Sequence, residues 1–134
     1  MASHDARSLV DGEAEGPALV LTRPLSFWGG VDSESGRIID RTHPRFGTHV
    51  TGSILVMPAG RGSSSSSAVL AECIRRGTAP AGIVLAEPDP ILVVGALVAE
   101  ALYGKTCPIV VCPIETIRPG TAIRIAAGRL ETAP

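Results

Sequence analysis

The residues best suited to chemistry lie in one stretch rich in glycine and serine, which we call the serine loop (residues 58–67). It follows a short apolar segment typical of a buried strand and leads into a segment whose apolar residues recur every four positions, as in a helix. Glycines permit a tight turn, and a helix start has unpaired N–H groups and partial positive charge. The loop therefore predicts an anion-binding turn in which a serine hydroxyl acts on a substrate, because capping alone needs only one or two serines.

The segments around the serine loop alternate between strand and helix patterns. Asp89 is predicted to cap the second helix, with Pro90 at its first position. The order strand-helix-strand-helix-strand predicts an α/β fold with a short parallel core, to which antiparallel strands are added. We predict strands at residues 18–22, 37–40, 53–57, 82–86 and 108–112, helices at 64–76 and 91–103, and a closing hairpin at 121–126 and 128–131.

The composition argues against several classes of partner. The chain has 134 residues, 45% of them hydrophobic but only 3% aromatic, so the core must be built from aliphatic side chains. Its formal net charge is -1, without the basic excess that binding to nucleic acid requires. The longest apolar stretch, residues 91–102, is too short to cross a bilayer and contains Glu100. We therefore expect neither a nucleic acid nor a membrane partner.

The beginning of the chain and its cysteines indicate a simple organisation. Residues 1–12 are polar and lack periodicity, which predicts a flexible N-terminal tail ahead of one domain at 13–134. Three cysteines, an odd number, without a secretory signal favour the cytoplasm. Cys107 and Cys112 are five positions apart across a strand, so we expect them on opposite faces, buried in the core.

A second unusual segment, residues 24–32, holds the single tryptophan of the chain, Trp28, next to Gly29 and Gly30. Two interpretations are open. The segment is either a hydrophobic plug with a glycine turn, or a surface that contacts the substrate.

Other candidate sites are weaker. His4, His43 and His49 have no metal-ligand spacing with a cysteine or carboxylate and are expected to be polar loop residues. The pair Gly60 and Gly62, with Glu87 after the next strand, matches a dinucleotide fingerprint incompletely. A non-catalytic module that binds an anion or a nucleotide is therefore the alternative of another class.

Three motifs together, residues 24–32, 36–40 and 60–64, resemble the swivel-domain, or small-subunit, family of the aconitase X dehydratases. The resemblance implies a swivelling β/β/α fold and a hydro-lyase that is active only with a large subunit, as a heterodimer or a higher assembly. It also implies that the large subunit holds an iron-sulfur cluster and that this chain alone binds none. The substrate implied is a small hydroxy acid; we favour cis-3-hydroxy-L-proline, with 5-phosphomevalonate as the alternative, because no additional basic cluster indicates a phosphate.

The resemblance also assigns residues. The first serine after Gly-x-Gly, Ser63, is expected to be the catalytic proton acceptor. Aconitases proper carry an arginine two residues further on, where this chain has Ser65, so that carboxylate contact is not transferred. Substrate contacts are expected from Trp28, Gly29, Gly30, Arg61, Gly62 and Ser64.

Overall fold

The computed structural model describes residues 2–133, which form eight strands and two helices. The strands are β1 (Ala2–Asp5), β2 (Arg7–Val10), β3 (Ala14–Val20), β4 (Ile54–Met57), β5 (Gly82–Leu85), β6 (Ile109–Val111), β7 (Ala122–Ala126) and β8 (Arg129–Thr132). Helix α1 (Ser66–Arg76) joins β4 to β5, and helix α2 (Pro90–Tyr103) joins β5 to β6. The strands form one sheet in the order β1-β8-β7-β3-β4-β5-β6-β2.

The middle of the sheet is parallel, because the two helices return the chain to the same edge between successive strands. Strands β4, β5 and β6 form the expected parallel core, and the second half of β3 adds a fourth parallel strand beside β4. The predicted α/β class, with a parallel core and additional antiparallel strands, is confirmed.

The strands of the parallel core are buried on both faces. Along β4, Leu55 and Met57 pack into a core beneath the helices, whereas Ile54 and Val56 pack into a second core with residues of β7 and β8. This alternation follows from the two-residue period of a strand. The result is a helical layer on one face and a layer of strands on the other, which is the predicted β/β/α arrangement.

Strand β3 belongs to both parts of the sheet. Its first half, from Ala14 to Pro17, pairs antiparallel with β7, and its second half pairs with β4. The sequence predicted only the apolar second half, at 18–22, because the first half contains Gly16 and Pro17, which disfavour a strand, and is held in strand conformation by its pairing with β7. The closing hairpin is confirmed: β7 and β8 are joined at Ala127 and Gly128, which have positive φ values of 52° and 73°.

The structure corrects the expectation of a flexible tail at residues 1–12. In the described part of that segment, β1 pairs with β8 and β2 pairs with β6. Val10 is buried, and the Arg129 guanidinium lies 2.6 Å from the Asp5 carboxylate. The strands were missed because their partners lie about a hundred residues further along the chain, beyond any local pattern. Met1 lies outside the described residues.

Residues 21–53 form an excursion between β3 and β4 that closes one end of the core beneath the helices. Its buried hydrophobic side chains are Leu21, Leu25, Phe27, Val31, Ile38 and Val50. The predicted strand at 37–40 is not a regular strand: Ile38 pairs with Val31 and Arg37 with His49 in single bridges. Gly36, at φ 74°, turns the chain too sharply for a continuous ladder, and a β-carbon there would overlap the Thr51 side chain.

Candidate functional site

The serine loop lies where β4 ends and α1 begins, as predicted, but α1 starts at Ser66 and not at residue 64. Ser63 forms a tight turn that precedes the helix: its carbonyl accepts the Ser66 N–H at 2.9 Å, and its Oγ accepts the Ser65 N–H at 3.1 Å. Ser65, at the N-cap position, contributes no side-chain bond. The first hydroxyl of the loop therefore stabilises a turn just before the N-cap, and the helix begins two residues later than predicted.

Ser63 is exposed, and within residues 2–133 its Oγ has no hydrogen-bond partner besides the Ser65 N–H. In the same part of the chain, the N–H groups of Gly62, Ser63 and Ser64 have no partner either. An exposed hydroxyl thus lies among donors that remain available to an anion. Gly62 makes this turn possible with a φ of 98°, and a β-carbon there would overlap the Ser26 side chain.

Trp28, Gly29 and Gly30 lie in a turn that packs against the start of α1; we call residues 26–31 the tryptophan turn. The turn is closed by the Val31 N–H, which donates to the Phe27 carbonyl at 3.2 Å. Gly29 has a φ of 74° and open space around it, which suits a glycine facing a partner or a ligand. Trp28 is 58% exposed, whereas Phe27 is fully buried in the core.

The hydrophobic plug and the exposed surface, the two interpretations of residues 24–32, correspond to two neighbouring residues. Phe27 is the hydrophobic plug, and Trp28 is left on the surface beside the serine loop. Gly30 is buried, and its carbonyl accepts the Ile39 N–H at 2.8 Å, so it supports the turn from below. Its direct contact with a substrate stays a prediction, as do the contacts of Trp28 and Gly29.

Sequence reasoning missed Ser66, the fourth serine of the run, which is only 2% exposed. Its Oγ accepts the Trp28 N–H at 3.0 Å and lies 3.4 Å from the Ser26 Oγ. A signal existed, because Ser66 lies four residues before Leu70 and shares its buried face of α1. This serine joins the tryptophan turn to the serine loop.

Arg61 and Ser64 are exposed on the serine loop. Near Arg61 lies Asp40, the last residue of the second motif. Hydrogen bonds from the Thr42 side chain and N–H lower the pKa of Asp40, and the positive charge of Arg61 contributes to the same shift. The second motif also contacts the tryptophan turn through the bond from the Ile39 N–H to the Gly30 carbonyl, so all three motifs of the resemblance meet at one edge of the sheet.

His43 lies in a loop, as expected, but it is buried. Its Nε2 lies 3.2 Å from the Arg23 carbonyl, and its Nδ1 accepts the Arg45 N–H at 3.0 Å. These contacts fit a neutral ring with its proton on Nε2. The His43 imidazole therefore helps to hold the loop of residues 21–53 together.

The start of α2 is closed by its own side chain. Asp89 Oδ1 accepts the N–H groups of Ile91 at 2.9 Å and Leu92 at 3.4 Å, with Pro90 at the first helical position, as predicted. A β-carbon at Gly60 would overlap the Asp89 carboxylate, so the serine loop lies directly against this cap. The Ser67 Oγ also donates to the Ile91 carbonyl at 2.6 Å, which ties the two helix starts together.

The cysteines do not fit a metal centre. Cys73 and Cys107 are buried in the core beneath the helices, and Cys112 in the core on the opposite face, as predicted for Cys107 and Cys112. Burial raises the pKa of all three thiols, to about 12 for Cys107, whereas a metal ligand must be a thiolate. Residues 2–133 contain no group of three His, Cys, Asp or Glu side chains that could hold a metal ion.

Comparison with known proteins agrees with this arrangement. The sequence model of the family described as "Aconitase X swivel domain" matches residues 3–132. The chain belongs to the aconitase X swivel-domain family. The crystal structure of Thermococcus kodakaraensis aconitase X in its holo-form superposes on this swivel domain with a TM-score of 0.91 and 31% sequence identity, over 100% of both chains.

Two curated relatives of this swivel domain are named as dehydratases. The cis-3-hydroxy-L-proline dehydratase of Pseudomonas aeruginosa is 50% identical over 93% of this chain, which spans 22% of that protein. The phosphomevalonate dehydratase small subunit of Methanothermobacter thermautotrophicus is 43% identical over 71% of this chain and 72% of its own length. The chain therefore spans about a fifth of the first relative and most of the second.

Proposed function

We propose that this swivel domain is the small subunit of an aconitase X dehydratase. Together with a large subunit it would form the enzyme that eliminates water from cis-3-hydroxy-L-proline. The observation that carries the proposal is the 50% identity with the cis-3-hydroxy-L-proline dehydratase, over 93% of the chain. The meeting of the serine loop and the tryptophan turn supports a site at this edge of the sheet.

In this reaction Ser63 is the proton acceptor. In its alkoxide form Ser63 takes the proton from the carbon next to the one that bears the hydroxyl, and the C–H electron pair forms the double bond. The C–O bond breaks with its electron pair on the departing oxygen, which leaves as water by taking a proton from an acidic group of the large subunit. The Ser65 N–H, which donates to the Ser63 Oγ, favours the negatively charged form. The free N–H groups of the serine loop and the guanidinium of Arg61 add to this stabilisation.

The remaining contacts follow from exposure and position. The serine loop exposes three residues around Ser63: Arg61, Gly62 and Ser64. The neighbouring tryptophan turn, which is bonded to the start of α1 through Ser66, exposes Trp28 and Gly29. We expect these groups to contact the substrate, with Gly30 supporting the turn.

The partner must bring the remainder of the enzyme. The described residues do not fit an iron-sulfur cluster, so we assign the cluster that the family implies to the large subunit. One domain at 13–134, extended by strands β1 and β2, would then dock onto that subunit. No helix within residues 2–133 is long and apolar enough to span a membrane, and the cytoplasmic location stays a prediction.

The decisive experiment is reconstitution with the large subunit from the same organism. The complex is expected to release water from cis-3-hydroxy-L-proline and to leave 5-phosphomevalonate unchanged. Ser63→Ala should lower kcat by a factor of about 10² to 10⁴ while the complex still assembles, the range for loss of a general base. Turnover of 5-phosphomevalonate would move the assignment to the alternative substrate, and full activity of Ser63→Ala would refute the role of Ser63.

A second candidate rests on the same free N–H groups: a non-catalytic module that binds an anion or a nucleotide. Calorimetric titration of the chain alone with inorganic phosphate and with ATP distinguishes the two proposals. We expect no tight binding without the large subunit; tight binding together with an inactive complex would favour the module.

A further inference from the structure

The hydroxyls of Ser66 and Ser26 form a closed ring of hydrogen bonds with the backbone of Trp28. The Trp28 N–H donates to the Ser66 Oγ at 3.0 Å, and the Ser26 hydroxyl donates to the Trp28 carbonyl at 2.9 Å. Each serine has a single hydroxyl hydrogen, and that of Ser26 is already used. In the remaining 3.4 Å contact, Ser66 is therefore the donor and Ser26 the acceptor.

This ring connects the two halves of the proposed site. Ser66 is the first residue of α1, and its N–H donates to the Ser63 carbonyl at 2.9 Å. Ser26 packs directly on Gly62, the residue before Ser63, since a β-carbon at Gly62 would overlap its side chain. Both serines thus contact the tryptophan turn on one side and the backbone of the serine loop on the other.

The ring is built from groups that have little freedom to rearrange. Ser66 is buried and Ser26 half-buried, and each hydroxyl in the ring both donates and accepts, which strengthens neighbouring bonds. Loss of the Ser66 hydroxyl would leave the Trp28 N–H without its partner and remove the link between the turns.

We propose that Ser66 is a positioning residue, with Ser26 as its partner, that fixes the distance between the tryptophan turn and Ser63. This inference rests on the proposed function for its catalytic consequence, but the ring itself is tested without activity. Ser66 does not touch the substrate; it acts through the two turns that do.

The structural half of the proposal is tested on the full chain by hydrogen exchange. Because Trp28 is the single tryptophan, labelling with ¹⁵N-tryptophan gives one backbone amide signal, which reports on the N–H of the ring. In Ser66→Ala this amide should exchange about tenfold faster or more. The matched control is Ser67→Ala, which loses a bond at the same helix start, to the Ile91 carbonyl, and should leave the Trp28 amide unchanged.

The catalytic half is tested in the complex with the large subunit. Ser66→Ala should lower kcat about tenfold to a hundredfold with a smaller change in KM, because a displaced proton acceptor affects the chemical step more than binding. Ser67→Ala should keep the wild-type kcat. If Ser66→Ala does not fold, Ser26→Ala is the second variant: it removes the donor to the Trp28 carbonyl and the acceptor of the Ser66 hydroxyl. The Trp28 N–H keeps its bond to Ser66, so faster exchange and a lower kcat are both expected, by smaller factors than in Ser66→Ala.

The amide exchange and the kcat test two different parts of the proposal, the hydrogen-bonded ring and the positioning role of Ser66. An unchanged Trp28 amide in a folded Ser66→Ala or Ser26→Ala chain refutes the ring, and faster exchange with an unchanged kcat refutes the positioning role. A wild-type complex that dehydrates neither substrate refutes the proposed function instead, and the amide result then decides alone whether Ser66 holds the turn.

Discussion

Two strand-to-helix junctions lie side by side at one edge of the sheet, and they are completed in opposite ways. At the start of α2, the Asp89 carboxylate accepts the N–H groups of Ile91 and Leu92, and Pro90 has no N–H group to pair. At the start of α1, Ser65 makes no cap, and the N–H groups of Gly62, Ser63 and Ser64 have no partner among the described residues. We call the start of α2 the closed junction and the start of α1 the open junction. The same local geometry thus pairs its N–H groups within the chain in the first case and leaves them unpaired in the second.

The two helices differ along their length as well. The outer face of α1 carries charges, and Glu72 pairs with Arg75 and Arg76. The outer face of α2 carries exposed apolar side chains instead: Val94, Leu97, Val98, Leu102 and Tyr103. The helix that follows the open junction is therefore stabilised at its surface by ion pairs, and the helix that follows the closed junction is not.

The largest effect is expected at the open junction, where replacing Ser63 should lower kcat strongly and the stability of the fold only slightly. Ser63→Ala is expected to lower kcat about a thousandfold, in the range for loss of a general base. Because Ser63 is exposed and its Oγ accepts one hydrogen bond, the free energy of unfolding should fall by only about 1 kcal/mol. Steady-state kinetics and urea unfolding measure the two quantities. A large loss of stability would show that Ser63 mainly stabilises the fold, against this prediction.

Gly60 is the point at which the two junctions touch. Gly60→Ala should destabilise the fold by about 2 kcal/mol, because the new β-carbon would overlap the Asp89 carboxylate. The double variant Gly60→Ala/Asp89→Ala removes that overlap and should be more stable than the sum of the single changes predicts. Strictly additive unfolding free energies would show that the junctions are independent.

The closed junction should affect stability alone. Asp89→Ala is expected to lower the free energy of unfolding by about 1 kcal/mol, since two N–H groups lose their acceptor. Asp89→Asn, which retains a capping oxygen, is the control and should be close to the wild type. The kcat of the folded complex should not change; a fall in kcat would mean that this junction also takes part in the reaction.

The smallest effect concerns the ion pairs of α1 and their dependence on pH. Hydrogen bonds from Arg75 and Arg76 lower the pKa of Glu72 from 4.5 to about 2. A carboxyl whose pKa is lower in the folded state stabilises the fold above its unfolded pKa, and that contribution is lost as the pH falls through the folded pKa. The thermal midpoint of the wild type should exceed that of Glu72→Gln slightly at neutral pH, and the difference should disappear between pH 4.5 and 2. A difference that persists at pH 2 would exclude the ion pairs as its cause.

The contrast also explains which features could be predicted from the sequence. The parallel core and the cap of α2 follow from local patterns: short apolar strands, an aspartate before a proline, and a glycine after each helix. The position of the serine loop follows from the same patterns. These features depend on residues that lie close together in sequence.

What was missed depends on distant partners. Strands β1 and β2 are polar and alternate weakly, so only their pairing with β8 and β6 makes them strands. His43 is buried because Arg23 and Arg45 supply its hydrogen bonds, which no spacing indicates. Among five identical serines, chemistry cannot distinguish the exposed Ser63 from the buried Ser66; only the phase of α1, set by Leu70 and Ile74, separates them.

The pairing of β1 with β8 sets an order in time. Ala2 lies opposite Thr132, so β1 leaves the ribosome well before its partner β8 has been synthesised and cannot pair until then. Strand β2 must wait for β6, and the first half of β3 for β7. At about 5 to 20 residues per second, the N-terminal strands stay unpaired for about 5 to 25 seconds. Their polar, charged side chains suit that interval, because an apolar edge left open for as long would invite aggregation.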